Sequence, residues 1–167
     1  MDAVVRMGEA AVSGTAGDTL ACIGLGSCIG LALYDRSQCI AGLAHVMLPA
    51  APGADAEQPG KYADLAVPAI VEDLVALGAG RTRLEAVMVG GAAMFSMGGS
   101  GQDIGQRNAD AVRAALDGLR IPVRTTDTGG GKGRTIRIDI SPQMTTVVRE
   151  AGGTDALIFG EAAPVAA

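Results

Sequence analysis

Apolar residues fall along this chain in short runs that switch between two spacings. Thr19–Ile23, Ile29–Tyr34 and Cys39–Leu48 are nearly continuous apolar runs, and the last two flank the polar stretch Asp35-Arg36-Ser37-Gln38. That pattern predicts strands, with a hairpin turn between the second and third. Over 61–77 the spacing changes: Val67, Ile70, Val71 and Leu74 recur as on one face of a helix, and Gly78 follows as a stop. Pro68 lies inside this pattern and either kinks the helix or marks the first turn of its second half. Leu84–Val89 reads as another strand. Val112, Ala115, Leu116 and Leu119 give a second helical face, with Asn108 a natural N-cap and Pro122 blocking continuation. Val123–Thr126, Thr135–Ile140 and Thr145–Arg149 read as strands, and the alternation of Ile136, Ile138 and Ile140 with Arg137 and Asp139 gives one of them a wet face. The expected fold class is α/β: two main helices and at least six strands in mixed, largely antiparallel sheets. Pro49–Gly60 reads as a surface loop. Residues 1–159 are expected to form one domain, and the small, patternless residues 160–167 a loose tail.

Composition narrows this picture. Hydrophobic residues are 49% of the chain but aromatics only 2%, with no Trp, so the core must be built from Ala, Val, Ile, Leu and Met. Gly accounts for 25 of 167 residues, about twice average usage and without a collagen period. The net charge of -5, with no Lys/Arg cluster, argues against nucleic acid and against anionic lipid as partners. The uncharged stretches between Asp18 and Asp35 and between Glu85 and Asp103 are broken by Gly and Ser and fall short of the roughly 20 apolar residues of a membrane span. The opening MDAVVRMGEA has no long apolar segment of the secretory kind. Three cysteines, at 22, 28 and 39, form no CxxC pair, so reduced thiols and a cytoplasmic location are expected.

Familiar cofactor motifs fail residue by residue. A phosphate loop ending at Gly131-Lys132 needs Gly at 126 and Ser or Thr at 133, where Thr126 and Gly133 stand. A dinucleotide fingerprint from Gly24-Leu25-Gly26 finds its third Gly one residue late, at Gly30. A serine elbow at Ser27 would need Gly at 25 and 29, where Leu25 and Ile29 stand. One His and no zinc spacing argue against a metal centre. Neither cofactor nor metal is expected.

What does not fail is a pair. His45 is the only His, and it lies in the third apolar run. Taken alone it reads as a buried structural side chain, and Cys28 alone as a small core hydrophobe. If the hairpin turn is centred between Arg36 and Ser37, Tyr34 faces Cys39 and Cys28 faces His45 directly. Opposed residues share a face with Cβ atoms about 4.5–5.5 Å apart. Other loops give other registers, and a one-residue slip would separate the two. Such a pair supports nucleophilic catalysis: imidazole takes the thiol proton, thiolate attacks a carbonyl, and imidazolium protonates the leaving amine. Gly24-Leu25-Gly26-Ser27 would bring backbone N–H groups, notably of Gly26 and Ser27, to a developing oxyanion, or would form a plain tight turn.

Six blocks carry a resemblance: Leu25-Gly-Ser-Cys28, Ala44-His-Val-Met-Leu-Pro49, Lys61-Tyr-Ala-Asp64, Gly90-Gly-Ala-Ala-Met-Phe95, Ile104-Gly-Gln-Arg-Asn108, and Asp127-Thr-Gly-Gly130 followed by Gly133-Arg134. In this order and with these gaps the chain resembles the CheD family of chemoreceptor glutamine deamidases over roughly residues 8 to 150. The resemblance implies a layered α/β sandwich related to deamidating bacterial toxins. It implies a protein-glutamine glutaminase that converts Gln side chains of methyl-accepting chemotaxis receptors to Glu and releases ammonia. The family's nucleophile falls on Cys28 and its general base on His45. The family's assisting Thr falls on Cys22, a departure, since a thiol is a weaker hydrogen-bonding group than a hydroxyl. Implied partners are the cytoplasmic helices of the receptors and CheC, a phosphatase of the response regulator. The alternative is a docking module of weak or no activity that regulates receptors or CheC, for which Cys22 is the supporting feature.

Overall fold

The computed structural model describes residues 1–94 and 103–165. Phe95, from the fourth block above, lies outside them. The described residues form ten strands and two α-helices: β1 (Asp2–Val4), β2 (Ala10–Ser13), β3 (Thr19–Leu25), β4 (Ile29–Asp35), β5 (Ile40–Val46), α1 (Ala63–Leu77), β6 (Glu85–Gly90), α2 (Ile104–Gly118), β7 (Val123–Thr128), β8 (Arg134–Asp139), β9 (Thr146–Glu150) and β10 (Asp155–Phe159). Two five-stranded sheets result, a central one ordered β2-β5-β4-β6-β7 and an outer one ordered β1-β3-β8-β9-β10. Each is mixed: β6–β7 and β1–β3 run parallel and the other pairs antiparallel.

The period-two alternation of the central strands sorts their side chains between two cores. Ile29, Leu31 and Leu33 of β4, with Ala44 and Val46 of β5 and Met88 of β6, pack against Val67, Ile70, Val71 and Leu74 of α1 and Val112 and Leu116 of α2. Ala32 and Tyr34, with Ala41, Leu43, Val87 and Val89, face the outer sheet, where Leu20, Cys22, Leu25, Ile136 and Ile138 meet them. Both faces of the central sheet are therefore buried, which is why its strands read as unbroken apolar runs. The layers stack as helices, central sheet, outer sheet: an α/β layered sandwich, as expected.

Three local details differ from the sequence-based expectation. The β4–β5 turn is not centred between Arg36 and Ser37: Arg36–Gln38 form a 3-10 turn, followed by Cys39 in left-handed conformation (φ 53). Asp35 therefore pairs with Ile40, and Gly30, not Cys28, lies opposite His45. The second helix begins earlier than its apolar spacing indicates: Asp103 is its N-cap, accepting from the Gln106 amide at 2.8 Å. Asn108 lies inside the helix and is wholly buried. Pro68, by contrast, interrupts nothing; α1 runs through it and ends at Gly78, which is left-handed (φ 117).

Asp35 also anchors the hairpin. Its buried carboxylate accepts from Arg83 Nη2, the Gly80 amide and the Ser37 hydroxyl, each at 2.8 Å. Burial by itself would raise its pKa, but these donors outweigh burial and hold the group at about 2 instead of 3.8. A carboxyl lowered on folding stabilises the protein above its unfolded value, and that contribution is lost as pH falls through the folded one. Asp35→Asn is therefore expected to cost about 1–3 kcal/mol at neutral pH, since Arg83 is half exposed and the pair partly screened. Urea unfolding from pH 7 to 2 should show the two proteins converging between about pH 4 and pH 2. A gap independent of pH would refute this account.

Candidate active site

A bulge in the β3–β8 ladder prepares the site. Between the pairs Cys22↔Ile136 and Leu25↔Arg134, β3 carries one extra residue. Gly24 there is left-handed (φ 68), and the slip turns Leu25 back into the core while leaving Ile23 exposed. Gly26, Ser27 and Cys28 then cross from the outer to the central sheet, and β4 starts at Ile29.

All three carbonyls of this crossing are engaged on the protein side. Gly26 O accepts from the Ala92 amide and Cys28 O from the Gly91 amide, both at 2.9 Å. Ser27 O accepts from Asn108 Nδ2 at 2.9 Å. The N–H groups of Gly26, Ser27 and Cys28 donate to no described residue. A cavity of about 470 Å³ opens beside them, lined by Gly26, Ser27 and Cys28, by His45, and by Ala92 and Ala93. Met7, Ile23, Met94 and Ile104 form an exposed apolar rim.

Cys28 and His45 both line this cavity. The observed register is two residues from the symmetric one. A two-residue shift preserves the face, because side chains alternate with a period of two. His45 is paired with Gly30 on the face turned to the outer sheet, and Cys28 packs against the same inter-sheet core one alternation earlier. The two are thus diagonal neighbours, a relation in which Cα atoms lie about 7–8 Å apart and longer side chains still meet. Gly30 is required by the packing over it: a Cβ there would strike Leu25 Cδ1 at 2.8 Å and crowd Ile136 Cγ2 at 3.3 Å.

The imidazole is oriented. His45 Nδ1 lies 3.0 Å from the carbonyl oxygen of Val5. A carbonyl only accepts, so Nδ1 carries the proton and Nε2 the lone pair. Burial pushes the Cys28 thiol above its ordinary range, so the fold alone does not favour a thiolate.

Cys22 projects from β3 into the inter-sheet core opposite this pair and is fully buried. Burial, with a smaller contribution from Cys28, pushes its thiol far up. It has no hydrogen bond to a described residue, and His45 Nδ1 is held by Val5 O. Tyr62 and the 128–131 turn lie outside the cavity lining. Tyr62 instead precedes α1 and bridges to Leu48, and Gly130 O accepts from the Ala93 amide at 2.8 Å. Two participants escape sequence reasoning. Val5 acts through its backbone and has no side-chain signal, and the polarity of Asn108 suggests a helix cap where the structure puts a buried clamp. No helix among the described residues is long and apolar enough to cross a membrane.

Comparison with known proteins places the chain among named relatives. A family model described as CheD chemotactic sensory transduction matches residues 47–149. A protein of Methanococcus vannielii named "Probable chemoreceptor glutamine deamidase CheD" is 43% identical over 143 residues, covering 86% of this chain and 92% of its own length. Proteins of the same name from Clostridium botulinum and Clostridium kluyveri are each 46% identical, over 127 and 122 residues, covering 74% and 71% of this chain and 78% and 75% of their own.

Proposed function

The chain belongs to the CheD family, and from that membership we propose that it is a protein-glutamine glutaminase acting on chemoreceptors through a Cys28 thioester. The observation that carries the mechanism is the single cavity holding a thiol, an oriented imidazole with Nε2 free of Val5, and backbone N–H groups whose carbonyls are turned the other way.

His45 Nε2 accepts the proton of Cys28 Sγ, and the thiolate attacks the carboxamide carbon of a receptor Gln. As the C–S bond forms, the carbonyl π electrons move onto oxygen, where the Gly26 to Cys28 amides supply donors. Collapse breaks the C–N bond while His45 returns the proton, and ammonia leaves. Water, deprotonated by His45, then attacks the thioester. The C–S bond breaks, Glu is released, and the proton returns to the thiolate. The Val5 carbonyl fixes the tautomer throughout and stabilises the imidazolium. Cys22 contributes packing behind the pair, and the orienting role assigned by resemblance to position 22 passes to Val5 O. The site is expected to work in the cytoplasm, on receptor segments presented there, with CheC as a regulatory partner.

Mass spectrometry of receptor cytoplasmic fragments incubated with the protein tests this reading: converted Gln residues gain about one dalton as amide becomes acid. His45→Ala should lower the initial rate about 10²–10⁴-fold, the usual contribution of a positioned acid–base group. Receptor peptides of unchanged mass after prolonged incubation would end the deamidase reading, and a fully active His45→Ala would remove the base.

A further inference from the structure

Asn108 sits mid-helix in α2 and is wholly buried. Asn is a poor helix former, and burying its amide is costly unless the polar atoms are used. Here one nitrogen is used twice: Nδ2 donates to Ser27 O and to Met47 O, both at 2.9 Å. Both partners are carbonyls, so the side chain can point only one way. Its Oδ1 is left buried with no partner among the described residues. Packing alone would favour an apolar residue at this position, which would leave no such orphan acceptor.

The two carbonyls are significant for where they stand. Ser27 immediately precedes the thiol, and Met47 lies two residues after the imidazole. In a trans peptide the C=O and the following N–H point in opposite directions. A Ser27 carbonyl held toward α2 therefore turns the Cys28 N–H away from it. Backbone amides hold the neighbouring carbonyls of Gly26 and Cys28. Among the described residues, Asn108 is the only group that holds Ser27 O.

We propose that Asn108 is a positioning residue for the reaction. One carboxamide ties the nucleophile's peptide to the strand end beside the base, fixing the aim of the Cys28 N–H and the spacing of Cys28 Sγ from His45. The inference rests on Cys28 and His45 being the reacting pair. The test compares Asn108→Ala, which removes both donors, with Asn108→Ser, which keeps one, each assayed well below its own Tm. Expected in Asn108→Ala is a kcat lower by about 10–100-fold with KM within about two-fold, the signature of lost alignment and not of lost binding. The pH midpoint of Cys28 alkylation should rise with it, and Asn108→Ser should fall between the two proteins in both readouts. If Asn108→Ala does not fold, a lowered kcat at unchanged KM in Asn108→Ser carries the same weight. A folded variant with wild-type kcat and alkylation profile, or a loss borne by KM alone, would overturn the proposal. An active Cys28→Ala control would instead overturn the mechanism it rests on, so the two failures are distinguishable.

Discussion

Cys28→Ala is expected to lower ammonia release from receptor fragments by at least about 10³-fold while leaving the thermal transition almost unmoved. A covalent route has no first step without its nucleophile, and members of such a unit typically cost 10⁴-fold or more when removed singly. The structural cost should be small. Cys28 is half-buried at the cavity wall, and its backbone, not its sulfur, makes the Cys28 O to Gly91 N bond that joins β4 to the segment after β6. Burial raises the thiol's pKa, so reactivity must come from the neighbouring base. Iodoacetamide should accordingly label Cys28 in preference to Cys22, which is sealed in the core, and His45→Ala should slow that labelling at neutral pH. Undiminished turnover in Cys28→Ala would eliminate the thioester. A folded wild-type protein that binds receptor fragments without converting them would favour a docking module instead.

The largest effect on stability is expected from a glycine. Gly90 ends β6 in left-handed conformation (φ 110), and a Cβ added there would collide with the carbonyl oxygen of Cys28. The residue is fixed on its other side as well, because Gly90 O accepts from the Gly129 amide at 3.0 Å. Gly90→Ala combines a backbone cost of roughly 1–2 kcal/mol with an overpacking cost of roughly 1–3 kcal/mol. For a domain of this size the sum, about 2–5 kcal/mol, should lower Tm by roughly 4–20 °C, at about 2–4 °C per kcal/mol. Gly152→Ala is the control: its φ is 79 but nothing lies within 4 Å, so it isolates the backbone cost. If calorimetry gives equal shifts for both, the collision is relieved by local movement and contributes nothing. If the Gly90 shift is the larger, residual activity should fall with it, since the displaced atom belongs to the nucleophile.

The elements most legible in the sequence are those with two buried faces or one sharply periodic face. β4, β5 and β6 appear as apolar runs because helices cover one side and the outer sheet the other. α1 announces itself through Val67, Ile70, Val71 and Leu74 and through Gly78. Illegible were β1, β2 and β10, which are short, lie at the sheet edges and leave most of their side chains at least partly exposed, so no alternation stands out. The first turn of α2 was hidden by Gly105, which the helix needs because a Cβ there would strike the carbonyl oxygens of Gly91 and Ala92. In the site, Cys28 and His45 could be placed on one face by parity alone, but not in register. Asp35 caps a 3-10 turn, and Cys39 takes a left-handed conformation that no turn-symmetry argument anticipates. The Val5 carbonyl and the Asn108 clamp depend on long-range packing and left no pattern to read.

Neither strand that frames the cavity is a sheet edge: β4 is bonded to β5 and β6, and β5 to β2 and β4. Sliding one past the other would break ladders on both flanks at once. The thiol and imidazole are thus set in their relative places when the chain folds, and an incoming side chain meets a finished arrangement. On the proposed mechanism little reorganisation is then left for the catalytic cycle itself, and discrimination among glutamines would rest on how well each can reach a fixed target and not on its power to reshape one.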